Sequence, residues 1–521
     1  LLLLLLVFLA PVLFMLPLSL HGYVPGSGIS AEWTLANYTA IVADEYFREV
    51  VLRTLVLGVG VTAICLLLGY PLAWYIAHSG PAMRLTLTLL VIFPMLLNLV
   101  VRSFGWIALL ANRGLINNLL IDMGLIERPI RMMFNLFGVL VGMAHIFLPF
   151  MVLMLVPAIQ NVPRDVRNAA YTLGASRARV FWSVTLPMTV PGILAGAILV
   201  FVLTISALVT PRMLGGPTYK VMATMIYDDF LQTLDWPAGA AMSFVLVALT
   251  LAVIGLSSHE ALGWQRMNDE QRPGRVLASV AFAVVAFLQL PVLVVVLAAF
   301  SKTAYLTIPP KGVTLHWFEV VLRDTEYLQA GWTSLWLAAA STATALALGL
   351  AAAYAIHRRM LPGAALIAAV CMAPLILPSV VLGVALLQYY TLTGLRGYSL
   401  GLWLAHVVIT VPYVVRASLS SLATVDDALE DAANVLGADG FTRFRLITLP
   451  LVKPGLVAGG LFAFITSLDN VPVSVFLLSA SQTTLPVKIF TSVEQGVDPS
   501  VAAVSTMLIV ITGAALLLAE R

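Results

Sequence analysis

The chain has 521 residues, 61% of them hydrophobic and only 10% charged, with a formal net charge of +3 and a mean hydropathy of +1.00. Soluble domains carry roughly 25% charged residues, so these values exclude a globular soluble protein. The small, dispersed basic excess gives no case for a nucleic-acid partner. The alternation of a transmembrane β-barrel is missing, whereas apolar runs of about 20 residues recur throughout, which is the length a helix needs to cross a bilayer.

In chain order, residues 1–20 have the composition of a signal-peptide core. No small-residue cleavage site follows and further apolar runs do, so we read this segment as a first transmembrane helix. The chain does not open on Met, and residues are expected to precede it. Spans are then predicted over 51–77, 85–110, 136–160, 186–210 and 239–258. A second set follows over 276–300, 332–356, 363–391, 399–424, 450–479 and 499–519. Between the two sets lies the hydrophilic stretch Gln265–Arg275. The predicted organisation is therefore a first six-helix half over 1–258, a linker over 259–275 and a second six-helix half over 276–521, an all-α polytopic membrane protein. Cys65 and Cys371 sit inside apolar runs with no disulfide or metal spacing.

The halves repeat each other. Ala169-Ala170, Gly174, Leu186-Pro187 and Pro191-Gly192 return as Ala432-Ala433, Gly437, Leu449-Pro450 and Pro454-Gly455, each 263 residues further on. Ala144-His145 with Pro149 matches Ala405-His406 with Pro412, and Tyr75 with His78 matches Tyr354 with His357. Six spans per half give both halves the same direction, a parallel repeat, which packs about an axis along the membrane normal with a pathway at the interface. Lys and Arg divide almost evenly between the two sides, so the positive-inside rule hardly orients the chain.

The repeated segment is polar within an apolar protein. Each copy reads as a short helix opened by acidic residues, a glycine bend and a second basic, amphipathic helix, with the Pro-Gly pair marking the return into the membrane. An interfacial amphipathic helix is the plain reading. Two copies with identical spacing at equivalent points favour instead a surface presented twice to a partner.

Ala-Ala, three residues, Gly, nine residues, a β-branched residue (Val184, Ile447), one residue and Leu-Pro resembles the cytoplasmic signature of ATP-binding-cassette importer permeases. The resemblance implies two tandem permease halves of the type I importer fold in a bacterial inner membrane. Their coupling loops, about 161–185 and 425–449, would dock two copies of an ATPase subunit. ATP and Mg would belong to those partners and no cofactor to this chain. A periplasmic binding protein would deliver a small-molecule substrate. The coupling residues implied are Asn168, Ala169, Ala170 and Gly174, and Asp431, Ala432, Ala433 and Gly437; the family's acidic residue before the alanines is present as Asp431 and replaced by Asn168. Half one further resembles one subunit of the spermidine/putrescine permease pair through Arg102–Trp106, Pro129–Phe134, Met213–Pro217 and Asp235–Ser243. Half two resembles the other through Ser467–Asn470 and Thr483–Ile489. A polyamine-like organic cation is therefore the substrate expected, with ferric iron, thiamine, phosphonate and opine importers sharing the architecture.

Within the spans, Asp469 is the single acidic residue, beside Ser467, Asn470 and Pro472, where the helix is expected to break; Thr204 and Ser206 occupy the corresponding place in half one. An intramembrane carboxylate is costly unless it faces water or a partner, so two readings stand: a counter-ion for a cation in the pathway, or a helix cap or inter-helix hydrogen bond. His145 and His406 are expected to bridge helices rather than bind metal, and Arg416 to reach the inner surface. Tyr227-Asp228-Asp229 and Asp235-Trp236 are expected on outer loops, as binding-protein contacts or as solvated acidic residues. No phosphate-binding Gly-Lys-Ser/Thr loop, paired carboxylates, Ser/His/Asp group or His/Cys cluster is present, so no enzyme activity is expected. A secondary transporter would need several intramembrane charges, and a membrane enzyme a catalytic cluster.

Overall fold

The computed structural model describes residues 9–26, 28–257, 275–303, 312–358, 363–479, 482–496 and 499–519. The linker expected over 259–275 lies outside them except for Arg275. Among the described residues, nine helices are long and apolar enough to cross a membrane; a bent pair, Ala364–Ile376 with Ser379–Thr393, adds a tenth. The shorter apolar helices Ala10–Ser19 and Pro499–Ile511 fall in the two remaining predicted runs, and Pro81–Leu96 shares the run 85–110 with one of the long helices. The chain is an all-α polytopic membrane protein.

Equivalent sequences start equivalent helices. Helices Glu45–Ala77 and Thr325–His357 are each 33 residues long, and each begins at an aspartate cap. Asp44 accepts from the Tyr46 amide at 2.8 Å, and Asp324 from the Glu326 amide at 2.8 Å, each with a glutamate in the first turn. At 1.5 Å per residue both are about 50 Å long, which exceeds the bilayer's hydrocarbon core of about 30 Å.

Several predicted spans are broken. The run 85–110 is a helix Pro81–Ile92, a tight turn Phe93–Leu96 and a new helix Leu99–Leu110 capped by the Asn98 side chain. The run 363–391 bends by 107° at Leu377-Pro378, where proline disfavours helical backbone in the residue before it. The run 450–479 stops at Leu468. Hydropathy misses the first two breaks because the residues at each remain mostly apolar; the third falls where Asp469, Asn470 and Pro472 led us to expect it. The segment after the first helix forms an unexpected antiparallel hairpin, His21–Val24 with Gly28–Trp33.

The pairs Pro191-Gly192 and Pro454-Gly455 do not break the chain; they lie inside helices Leu186–Ile205 and Leu449–Leu468. Their glycines mark close helix crossings. A Cβ on Gly192 would stand 2.2 Å from the Ala158 Cβ, and one on Gly455 2.1 Å from the Ser421 hydroxyl.

The chain forms two compact units that interleave along the sequence: Leu1–Asn37 with Asp229–Ala241 and Asp324–Lys488, and Tyr38–Asp228 with Met242–Arg323 and Ile489–Arg521. In the first, helix Ala10–Ser19 packs on Ser379–Thr393, where the Gln388 amide donates to the Phe14 carbonyl at 3.0 Å. In the second, helix Arg275–Ala299 packs on Leu99–Leu110, and the Gln289 amide donates to the Leu90 carbonyl at 2.7 Å. The compact units thus differ from the two sequence halves, each taking in helices from both.

Candidate functional site

The two repeated segments adopt the same local structure, and the reason is readable residue by residue. Helices Arg164–Thr172 and Asp427–Val435 each end in a glycine with left-handed backbone, Gly174 at φ 81° and Gly437 at φ 84°. The Gly174 amide donates to the Tyr171 carbonyl at 2.9 Å and the Ala175 amide to the Ala170 carbonyl at 3.0 Å. In the other copy Gly437 donates to Asn434 at 3.0 Å and Ala438 to Ala433 at 3.0 Å. This paired pattern satisfies the helix's last carbonyls and requires positive φ at the glycine. No neighbour approaches either glycine within 4 Å, so backbone conformation alone selects it.

Beyond the bend, Ser176 and Asp439 cap the next turn by accepting from the Arg179 and Thr442 amides at 3.3 and 3.2 Å. Helical turns Arg177–Val180 and Gly440–Arg443 then pass through one wide π-turn each, Phe181–Thr185 and Phe444–Thr448, straight into the following apolar helix. The separate second amphipathic helix expected from sequence is thus only one turn, continuous with the span.

The outward faces are apolar. Leu173, Val435 and Leu436 are each 87% exposed, and Trp182, Phe441 and Leu446 are also exposed. Asn168, Ala169, Asp431 and Ala432 lie on the exposed side with them, while Ala170 is half-buried and Ala433 buried. Clustered large apolar side chains on a short polar helix are what a docking surface presents.

The backs of the loops are charged and buried, a feature the sequence reading missed. Arg167 donates to His78 Nε2 at 3.2 Å. His78 Nδ1 lies 2.9 Å from the Trp74 carbonyl, which can only accept, so Nδ1 carries the proton and Nε2 receives Arg167. In the other copy Glu430 pairs with Arg358 and, at 3.2 Å, with Arg443, and accepts from the Thr448 hydroxyl at 2.7 Å. Burial opposes the Glu430 charge, but the Thr448 and Arg358 hydrogen bonds and the Arg358 and Arg443 charges prevail and hold its carboxyl below the usual range. A depressed folded-state value contributes stability above the unfolded value, and that stability is lost as pH falls through the folded one. The Glu430 contacts are therefore expected to survive acidification to about pH 5. Protease protection of the 425–449 loop should persist there and fail only in stronger acid.

Asp469 lies just beyond helix Leu449–Leu468 at its C-terminal cap and is half-buried; Ser206 holds the same cap position after Leu186–Ile205. Asn470 accepts from the Val473 and Ser474 amides at 3.0 and 3.2 Å and so starts the turn Ser474–Leu477. Ser467 is buried and receives the Ser341 hydroxyl at 3.0 Å, with His406 Nδ1 2.8 Å away and His406 Nε2 3.0 Å from Ser474. Thr204 and Ser206 donate back into their own helix, to the Val200 and Val202 carbonyls, each at 2.7 Å. His145 Nε2 lies 2.9 Å from the Leu288 carbonyl, so both histidines bridge helices as expected. Among the described residues no group of His, Cys, Asp and Glu could hold a metal. Arg416 is exposed, and both cysteines are buried.

The acidic pair Asp228-Asp229 is not a solvated loop. Both residues are buried on helix Met222–Leu231. Asp228 binds Arg212 and Lys220, each at 2.7 Å, and Arg212 also binds Glu494 at 2.6 Å. Asp235 caps the following helix, accepting from the Ala238 amide at 3.1 Å. The cations that bury Asp228 stand 16 and 8 residues before it, a pairing that charge spacing could have suggested.

Multiple apolar helices with two similarly built polar loops define a polytopic membrane protein. The model of the family described as "binding-protein-dependent transport system inner membrane component" matches residues 66–263. The chain is 36% identical over 220 residues to the spermidine/putrescine transport system permease protein PotB of Escherichia coli (strain K12), covering 42% of this chain and 80% of that one. It is 34% identical over 242 residues to the corresponding PotC protein of Haemophilus influenzae, covering 46% of this chain and 93% of that one. A crystal structure of a bacterial ABC transporter involved in the import of alginate is similar at 20% identity and a TM-score of 0.40, covering 49% of this chain and 90% of that one. The chain belongs to the family of binding-protein-dependent inner-membrane transport components and is a multi-pass inner-membrane importer permease.

Proposed function

We propose that this chain unites both permease halves of an ATP-driven, binding-protein-dependent importer, and that its cargo is a polyamine-like organic cation. The observation that carries the reading is the pair of loops with the same Gly bend, the same π-turn and the same exposed leucine. Each loop docks one ATPase subunit, which holds the ATP and Mg, and a periplasmic protein delivers the substrate. ATP binding draws the ATPases together, and the loops convert that motion into alternating access, a shift of population between outward- and inward-open states. Likeness to both PotB and PotC supports the cargo class.

Asp469 serves the cation as a transient counter-ion, with Ser467 and Asn470 beside it; Ser206 and Thr204 offer hydroxyls to the pathway at the equivalent helix end of the other half. A half-buried carboxylate at a helix end is the charge best suited to the role in this region. Asp469→Asn is expected to lower uptake of labelled putrescine about ten-fold, as loss of one partly desolvated ion pair of about 1.4 kcal/mol would, with the ATPase still bound. Undiminished uptake would remove Asp469 from the pathway.

A further inference from the structure

Arg167 and Glu430 occupy the same place in the repeat, 263 residues apart, yet carry opposite charge. Both are buried on the back of the docking loop. Each reaches the residue that caps the inner end of an equivalent 33-residue helix: Arg167 reaches His78, the cap of Glu45–Ala77, and Glu430 reaches Arg358, the cap of Thr325–His357. A second contact repeats beside each. Phe181, first residue of one π-turn, meets Trp74 edge-on with centroids 5.6 Å apart, and Phe444 meets Tyr354 edge-on at 5.3 Å. The charged and aromatic contacts on the back of each loop are thus made to the last turn or cap of the same long helix, and there the loop grips a span.

We infer that the position held by Arg167 and Glu430 is the pin through which each docking loop moves its long helix, with the loop's apolar face meeting the partner and the buried charge transmitting the displacement. The inference rests on reading the loops as ATPase docking sites. A buried charge held by a hydrogen-bonding partner suits the task because a buried charge left alone is strongly penalised, so loop and helix end move together. The inverted charges keep the two pins distinct: a cation received by a neutral imidazole in one loop, and a carboxylate held by two arginines and a threonine in the other. Arg167 and Glu430 are positioning residues, since neither lies on the exposed face.

The test uses the full permease in liposomes with the ATPase that co-purifies with it, and a nitroxide label on Ala351→Cys, an exposed site on Thr325–His357; the native cysteines are buried. ATP is expected to change the label's spectral width in the parent protein. With Glu430→Gln that change should fall at least five-fold while the ATPase remains bound. Glu430→Arg combined with Arg358→Glu, which exchanges the charges of the pair, should restore at least half of it. Arg167→Gln should act the same way on a label in Glu45–Ala77. An undiminished ATP response in Glu430→Gln, or loss of the ATPase that the charge exchange fails to restore, would overturn the inference. Failure of the parent permease to retain any ATPase would instead overturn the docking reading, and the pins with it.

Discussion

Replacing Leu173 and Leu436 together by aspartate is expected to abolish retention of the ATPase while leaving the permease folded. Both side chains are 87% exposed, so the substitutions remove no core contact. Docking would bury each leucine, worth about 2 kcal/mol, and burying a carboxylate there instead adds a penalty of similar size. Together these weaken each site by about 3 kcal/mol or more, roughly a hundred-fold in Kd. The single substitutions should each remove one ATPase from the complex. Retention of both ATPases by the double variant at ordinary salt would place the docking surface elsewhere.

Gly105→Val should have the largest effect on folding. Gly105 lies where helix Leu99–Leu110 crosses Arg275–Ala299, and an added Cβ would stand 2.6 Å from the Pro291 carbonyl oxygen and 2.8 Å from its Cβ. The obstacle is backbone, which cannot swing aside as a side chain would. Overpacking in well-packed interiors costs about 1–3 kcal/mol even where neighbours can adjust, and a small residue is what lets membrane helices approach this closely. The variant should be recovered at a small fraction of the parent yield and elute as aggregate in mild detergent. Gly124→Ala gives a control: that glycine has no neighbour within 4 Å, so its φ of 72° leaves only local backbone strain of about 1–2 kcal/mol. Normal elution of Gly105→Val would show that this crossing is looser than its geometry.

How far the sequence could be read follows from the period of each signal. The two repeated polar loops were legible because their glycine answers a backbone requirement that no other residue meets cheaply, and because it occurs twice. The apolar runs were legible as helical chain, and the break at Asp469 was legible from Asn470 and Pro472, but the breaks at Asn98 and Pro378 were not, since apolar residues continue on both sides. The Pro-Gly pairs were read as points of return into the membrane, and their further role at helix crossings was not legible, because glycine serves bends and close approaches alike and only the neighbour tells them apart. Arg167 and Glu430 escaped notice for another reason. A repeat is found by identity, and here the equivalent residues are opposite in charge, their partners being a histidine and an arginine at neighbouring places in the pattern. Asp228 was misplaced because its burial depends on Arg212 and Lys220 and on Glu494, far along the chain.

The most direct measurement is the mass of the purified complex of one permease chain with its ATPase, determined in detergent with the ATPase in excess. Two equivalent loops in one chain predict a mass of one permease plus two ATPase subunits, falling to one ATPase when either Leu173 or Leu436 is replaced by aspartate. A complex that saturates at a single ATPase in the parent protein, or that keeps its mass when one loop is changed, would contradict the account.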